Sequence, residues 1–326
     1  MNQITYREAI RLALDEEMAR DDRVFIIGED VGLFGGAMAV TKGLYQKYGP
    51  KRVIDTPISE SAIIGAALGA ALTGLRPVAE IMFIDFVGVC MDQIFNQVAK
   101  VRYMLGGQVE VPLVIRTQGG AGKGYAAQHS QSLEAWFCHI PGLKVVMPSN
   151  PRDARGLLKS AIREPNPIIF IEHKLLYNEK GEVPEEEELI PIGKAKVKRE
   201  GKDLTIASHS RQVLFSLAAA EKLYQDYRID CEVIDLVTLS PLDEETVFNS
   251  VRKTKHLLTV EEGYENCGIG AEVISRVTTK AFDYLARPPL RLAFPNCPIP
   301  FSKVLESAVL PDEKKIVEAV RKVLSY

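Results

Sequence analysis

The sequence predicts an α/β protein of two α/β domains, the first built on a mostly parallel sheet. Three observations carry that expectation. Short β-branched runs alternate with stretches of helical apolar spacing, the pattern of a parallel sheet covered by helices. The alternation breaks once, at the charged, Gly- and Pro-containing stretch "YNEKGEVPEEEELIPIGKA", Tyr177 to Ala195, and then restarts. The 326 residues, 46% hydrophobic and 25% charged, have ordinary globular values and a length suited to about two domains.

Taken in order, "MNQITYREAIRLALDEEMARDD" reads as an amphipathic helix and "RVFIIGED" as a strand ending in a turn. "RVIDTPISE" is a second strand and runs into the small-residue helix "AIIGAALGAALTGL". "RPVAEIMFIDF" is a third strand, followed by the helical pattern "CMDQIFNQVAKVRYML". "VPLVIRT" and "LKVVMPS" are strands, "DARGLLKSAIRE" a helix and "PIIFIEHK" a strand. The expected first domain is 1–180 and the linker 181–195, with the run Glu185 to Glu188 read as solvated. The second domain, 196–326, restarts with strands "DLTIASH", "IDCEVIDLVT", "HLLTVEE" and "PLRLAFP". Its helices run from Val213 to Tyr224, after "SPLDEET", near "GAEVISRVTTKAF" and through "PDEKKIVEAVRKVLSY".

Several function classes are disfavoured. A net charge of -3 offers no basic field for nucleic acid or an anionic membrane. Five scattered cysteines without a C-x-x-C pair fit a reduced compartment and no zinc framework. The acidic N-terminal pattern suits neither a secretory signal nor a transit peptide, so a cytoplasmic location is expected. Ala62 to Leu75 is apolar, but about 14 residues fall short of the roughly 20 that cross a bilayer. Its Gly65-x-x-x-Gly69 spacing suits close packing in a core or subunit interface.

The glycine-rich stretch "RTQGGAGKGYAAQHSQS", Arg116 to Ser132, resembles a phosphate loop only superficially. A P-loop has Gly five residues before its Gly-Lys pair and Ser or Thr after it. Here those positions hold Thr117 and Gly124. The stretch reads as a flexible surface loop with Lys123 in solvent and His129 at its far end.

Ligands of parallel sheets bind outside the carboxyl ends of the strands. Three such ends carry polar or aromatic groups: "DTPISE", "EIMFIDF" and the loop with His129. Glu60 falls where a strand meets an apolar helix. It either complements the helix dipole or, desolvated by Ile58, Ile63 and Ile64, shares a proton with a basic heterocycle. His129 is either a locally hydrogen-bonded loop ring or an acid, base or electrostatic stabiliser. Met82 and Phe86, four apart in a strand-like run, share a face that suits either the core or a flat aromatic ring. No histidine pair has metal-ligand spacing, so no metal site is expected in this chain.

Four segments together resemble a known family: "GEDVG", "VTKGLYQKYGPKRVIDTPISESAIIGAALGAALTGLRPVAEI", "AAQHSQSLEAWFCHIPGLKVVMPSNPRDARGLLKSAIREPNP" and "EVIDLVTLSPLDEET". They are similar to beta subunits of the thiamine-diphosphate-dependent dehydrogenase component of 2-oxo acid dehydrogenase complexes. The resemblance spans almost the whole chain. It implies a transketolase-like fold, with a pyrimidine-binding domain followed by a transketolase C-terminal domain. It implies that Glu60 hydrogen-bonds the cofactor's aminopyrimidine, that Ile58, Met82 and Phe86 pack around that ring, and that His129 helps pass the acyl group to a lipoyl arm. The family holds diphosphate and Mg2+ with a Gly-Asp-Gly motif on its alpha subunit, and no "GDG" occurs here. An α2β2 assembly with an alpha subunit, and an acyltransferase core, are the implied partners. A structural K+ held by carbonyls near Leu113 and 161–166 is a further implication. "FVGVCMDQIFNQVAKVRYMLGGQ" and "IASHSRQV" look most like acetoin dehydrogenase beta subunits, with pyruvate and branched-chain 2-oxo acids as alternative substrates. The alternative from another class is a non-catalytic scaffold that binds the acyltransferase core.

Overall fold

In the computed structural model, which describes residues 2–325, the N-terminal helix starts later than its apolar pattern. Residues 2–5 form an edge strand, and Thr5 then caps the helix. The Thr5 side chain accepts from the Glu8 N–H, and Glu8 accepts in return from the Thr5 N–H at 2.8 Å, a reciprocal capping box. Two compact units follow from the chain's own packing: Met1–Gly119 with Trp136–Ile192, and Gly120–Ala135 with Gly193–Tyr326.

Up to Ile192 the elements are β1 (Asn2–Thr5), α1 (Tyr6–Arg20), β2 (Val24–Gly28), α2 (Leu44–Tyr48), β3 (Val53–Asp55), α3 (Glu60–Leu72), β4 (Arg76–Ile81), α4 (Val101–Met104), β5 (Val114–Gly119), α5 (Glu134–Cys138), β6 (Lys144–Val146), α6 (Pro151–Arg163), β7 (Ile168–His173) and β8 (Lys180–Val183). Parallel strands of the first unit lie in the order β6-β7-β5-β4-β2-β3. Val24, Ile26, Val78, Ile115 and Ile169 are buried. Helices on both faces explain why these strands read as continuous apolar runs rather than alternating ones. β1 pairs antiparallel with β8, so 181–183, within the stretch expected to link the domains, continue a strand. Glu187 and Glu188 are not simply solvated: Glu187 pairs with Lys159 and Arg163, and Glu188 with Arg152.

The helix expected over "CMDQIFNQVAKVRYML" is broken into a 3-10 segment (Ile84–Cys90), a π turn (Gln93–Val98) and the short α4. Ala99 donates to the Ile94 carbonyl, five residues back. Apolar spacing indicates which side chains turn inward. It does not distinguish ring closures of three, four or five residues, because Ile94 and Val98 go inward in any of them. α3 buries Ile63, Ile64, Ala67, Leu68 and Ala71. Its opposite face, Ala62, Gly65, Ala66, Gly69 and Leu72, is exposed.

The second unit contains β9 (Lys196–Arg199), β10 (Leu204–Ser208), α7 (Gln212–Tyr227), β11 (Cys231–Asp235), β12 (Thr238–Ser240), α8 (Glu244–Thr254), β13 (Leu257–Tyr264), α9 (Ile269–Lys280), β14 (Leu290–Phe294), α10 (Lys303–Val309) and α11 (Glu313–Ser325). Its sheet runs β14-β13-β10-β11-β9, with only β9 antiparallel. Leu204, Ile206, Val233, Leu258, Leu223 and Ile316 centre its core. Among the described residues no helix is long and apolar enough to cross a membrane.

Candidate functional site

In the first unit β2 lies between β3 and β4, and Gly28 is in register with both Asp55 and Glu80. The carboxyl ends of these three strands therefore meet at one edge. Thr56 donates to the Gly28 carbonyl at 3.0 Å, and the Asp55 carboxylate accepts from the Gly32 N–H at 2.5 Å. These bonds fix the chain entering "TPISE". Glu60 is the first residue of α3, where the unpaired N–H groups of the first turn favour a carboxylate. The Ser61 hydroxyl donates to the Val89 carbonyl at 2.7 Å and ties this helix start to the 3-10 segment holding Phe86 and Cys90. The Glu60 charge is felt on both sides. Burial, then Glu60, then Asp30 raise the Glu29 carboxyl above its ordinary range. Burial, then Glu60, push the Cys90 thiol up to about 12.

Two details differ from the sequence reading. Ile58, expected to be packed around Glu60, is instead 81% exposed in this chain. Met82 and Phe86 do not share a strand face, because β4 ends at Ile81 and Phe86 sits in the 3-10 segment. Both are half-buried at the sheet's carboxyl edge, and the Phe86 ring meets Phe83 edge-on at 5.9 Å. A carboxylate at a helix start, with half-buried Met82 and Phe86 following a strand that ends at the same sheet edge, is the chemistry a flat heterocycle with a basic nitrogen would need. Near Leu113 and 161–166 several carbonyls already have donors. Leu113 accepts from Ile168, Ile162 from the Arg76 guanidinium, and Pro165 from Val111 and Arg102.

Sequence reasoning missed the ion network at the same strand ends. Arg116, on β5, is buried between two carboxylates. It donates to Glu80 on β4 at 2.7 Å and forks onto Glu172 on β7 at 2.7 and 2.9 Å. The Tyr177 hydroxyl donates to Glu172 at 2.6 Å. Burial works against the Arg116 charge, but Glu172 and Glu80 outweigh it and raise its pKa. Burial raises the Glu80 carboxyl, Arg116 pulls it back, Glu172 pushes it up again, and the net direction is upward. The trace in the sequence was a charged residue, Glu80, Arg116 or Glu172, within each of three fully or almost fully buried strands.

His129 lies in the second unit, half-buried, with its backbone N–H directed at the Ala126 carbonyl at 3.5 Å. The glycine-rich segment before it is not a free loop. Gly122 and Gly124 donate to the two carboxylate oxygens of buried Glu306 at 2.7 and 3.1 Å, and Ala121 donates to Glu262 at 2.5 Å. Lys123 is half-buried and lies 6.0 Å from the Tyr125 ring centre. Past His129, the Glu134 carboxylate accepts from the buried His209 ring at 3.3 Å. Burial opposes the His209 charge, but Glu134, then Glu261 and Asp235, raise its pKa. Burial pushes Glu261 up to about 7, with His209 lowering it and Glu134 raising it again.

The comparisons with known proteins agree with this architecture. The family described as "Transketolase, pyrimidine binding domain" matches residues 2–180, and "Transketolase, C-terminal domain" matches 193–316. A solved structure titled "Split gene transketolase, inactive beta4 tetramer" superposes with a TM-score of 0.80, covering 99% of this chain and 98% of that one at 23% identity. The fold class is thus transketolase-like. The pyruvate dehydrogenase E1 component subunit beta of Rickettsia conorii is 49% identical over 99% of each chain. The mitochondrial counterpart of Drosophila melanogaster is 50% identical over 99% of this chain and 89% of its own. The acetoin:2,6-dichlorophenolindophenol oxidoreductase subunit beta of Bacillus subtilis is 48% identical over 98% of this chain and 97% of its own. The chain belongs to the family of beta subunits of the dehydrogenase (E1) component of 2-oxo acid dehydrogenase complexes. Identities of 48 to 50% do not separate acetoin from pyruvate.

Proposed function

We propose that the chain is the beta half of a thiamine-diphosphate-dependent acetoin dehydrogenase component, acting in the cytoplasm with an alpha subunit as α2β2. The observation that supports this reading is Glu60 at the first position of α3, at the sheet edge where β4 ends and the segment with half-buried Met82 and Phe86 begins. Residues 1–180 serve as the pyrimidine-binding domain and 196–326 as the C-terminal domain. Thiamine diphosphate, when bound, supplies a carbon nucleophile for a carbonyl and then an electron sink. Glu60 holds a proton at the aminopyrimidine ring nitrogen, a general acid-base role typically worth about 10²- to 10⁴-fold. Ile58, Met82 and Phe86 pack the ring and exclude water, and His129 assists acyl transfer to the lipoyl group of an acyltransferase core. With no Gly-Asp-Gly in the chain, the diphosphate and Mg2+ are assigned to the alpha subunit. The exposed small-residue face of α3 supports close packing against a partner. A structural K+ at Leu113 and 161–166 would share those carbonyls with the guanidinium groups of Arg76 and Arg102.

Co-expression with an alpha subunit and an artificial-acceptor assay tests the substrate. Acetoin is expected to be turned over fastest, ahead of pyruvate and branched-chain 2-oxo acids. Faster turnover of pyruvate would transfer the assignment to pyruvate.

A further inference from the structure

The glycine-rich segment is an anion cradle with a built-in anion. Gly120, Gly122 and Gly124 all have left-handed φ, at 92°, 99° and 71°. This conformation lets neighbouring N–H groups converge on one point, the geometry that holds phosphates in other proteins. Here the point is filled by Glu306 of α10, only 2% exposed, whose Oε1 and Oε2 each take one glycine N–H. The intervening Ala121 N–H goes to Glu262 at the end of β13, and the Ala121 methyl is buried with Phe294, Ile299 and Leu310. The cradle is therefore pinned from two elements of the second unit, by charge-assisted bonds that are stronger than neutral ones. A phosphate would have to displace a carboxylate that covalent attachment holds in place.

We infer that Glu306 is a positioning residue: its carboxylate sets the cradle and thereby where the chain presents His129, five residues beyond Gly124. The functional half of this statement rests on the role proposed above for His129. The structural half stands without it.

Glu306→Ala and Glu306→Gln variants in the reconstituted α/β enzyme test both halves. Hydrogen exchange at residues 121–126 reads the cradle directly. Removing the carboxylate should speed exchange there by at least about tenfold, the scale of losing a hydrogen bond to a charged group. Acyl transfer to a lipoyl acceptor should fall on the order of 10- to 100-fold, as for a misplaced catalytic group, and more than reduction of an artificial acceptor. The Gln variant, which keeps an acceptor oxygen without charge, should lie between. Formate should restore both readouts in the Ala variant, whereas neutral formamide should not. A merely space-filling role would be restored equally by either. Unchanged exchange in both variants, or equal rescue by formamide, overturns the inference. If exchange responds and formate rescues it while His129→Gln leaves acyl transfer intact, the clamp stands and the His129 role falls.

Discussion

Replacing Arg116 by Met should make stability depend steeply on pH. Methionine fills similar length and adapts to the site, so the main loss is the guanidinium between Glu80 and Glu172, which are 3% and 0% exposed. Breaking a buried pair by removing one partner costs about 3–5 kcal/mol. Glu172 keeps the Tyr177 hydroxyl, so Glu80 is the carboxyl that takes up a proton. Protonating a carboxyl of ordinary pKa costs about 3.7 kcal/mol at pH 7 and about 1 kcal/mol at pH 5. Glu80 is already raised in the folded wild type, so the folded state holds its proton more tightly than the unfolded state does. Removing Arg116 raises Glu80 further. Its stabilising contribution is then present below the unfolded pKa and lost as pH rises through the folded one. Urea unfolding of Arg116→Met against wild type should show a deficit near 4 kcal/mol at pH 7 that shrinks to about 1 kcal/mol at pH 5. Adding Glu80→Gln should recover much of the pH 7 deficit. A deficit that is small, or equal at the two pH values, would refute the reasoning.

The second unit should carry its own pH signature. Glu261, held at about 7, costs about 3–4 kcal/mol once ionised, so its share of stability is present below about pH 4.3 and lost as pH rises through 7. Glu261→Gln should raise the melting temperature relative to wild type at pH 8 and lose that advantage at pH 5; an advantage confined to low pH would contradict the sign. Thr5→Ala, which removes the capping box of α1, should cost about 1 kcal/mol in denaturant titration. His129→Gln should lower acyl transfer to a lipoyl acceptor far more than artificial-acceptor reduction, and equal losses would deny it a role in transfer.

The sequence made the two α/β units and the strand-to-helix junction at Glu60 legible, because both are local: β-branched runs, an apolar helix and a carboxylate at its start. It misled where one pattern fits two backbones. Met82 and Phe86 follow strand spacing on paper, yet β4 stops at Ile81. Arg116 found its partners 36 and 56 residues away, across strands whose order no local pattern dictates. The glycine cradle was recognisable as something other than a P-loop, but its anion, Glu306, lies more than 180 residues downstream of Gly122 and Gly124. Exposed Ile58 and the exposed small-residue face of α3 mark surfaces that this chain alone does not cover.

The most direct test of the central claim is Glu60→Gln in the enzyme reconstituted with its alpha subunit. The amide keeps the size of the side chain but cannot exchange a proton with the cofactor ring. Substrate-dependent reduction of an artificial acceptor should fall by at least about 10²-fold, with the α/β assembly intact by sedimentation. Near-normal turnover in an intact assembly would contradict the account.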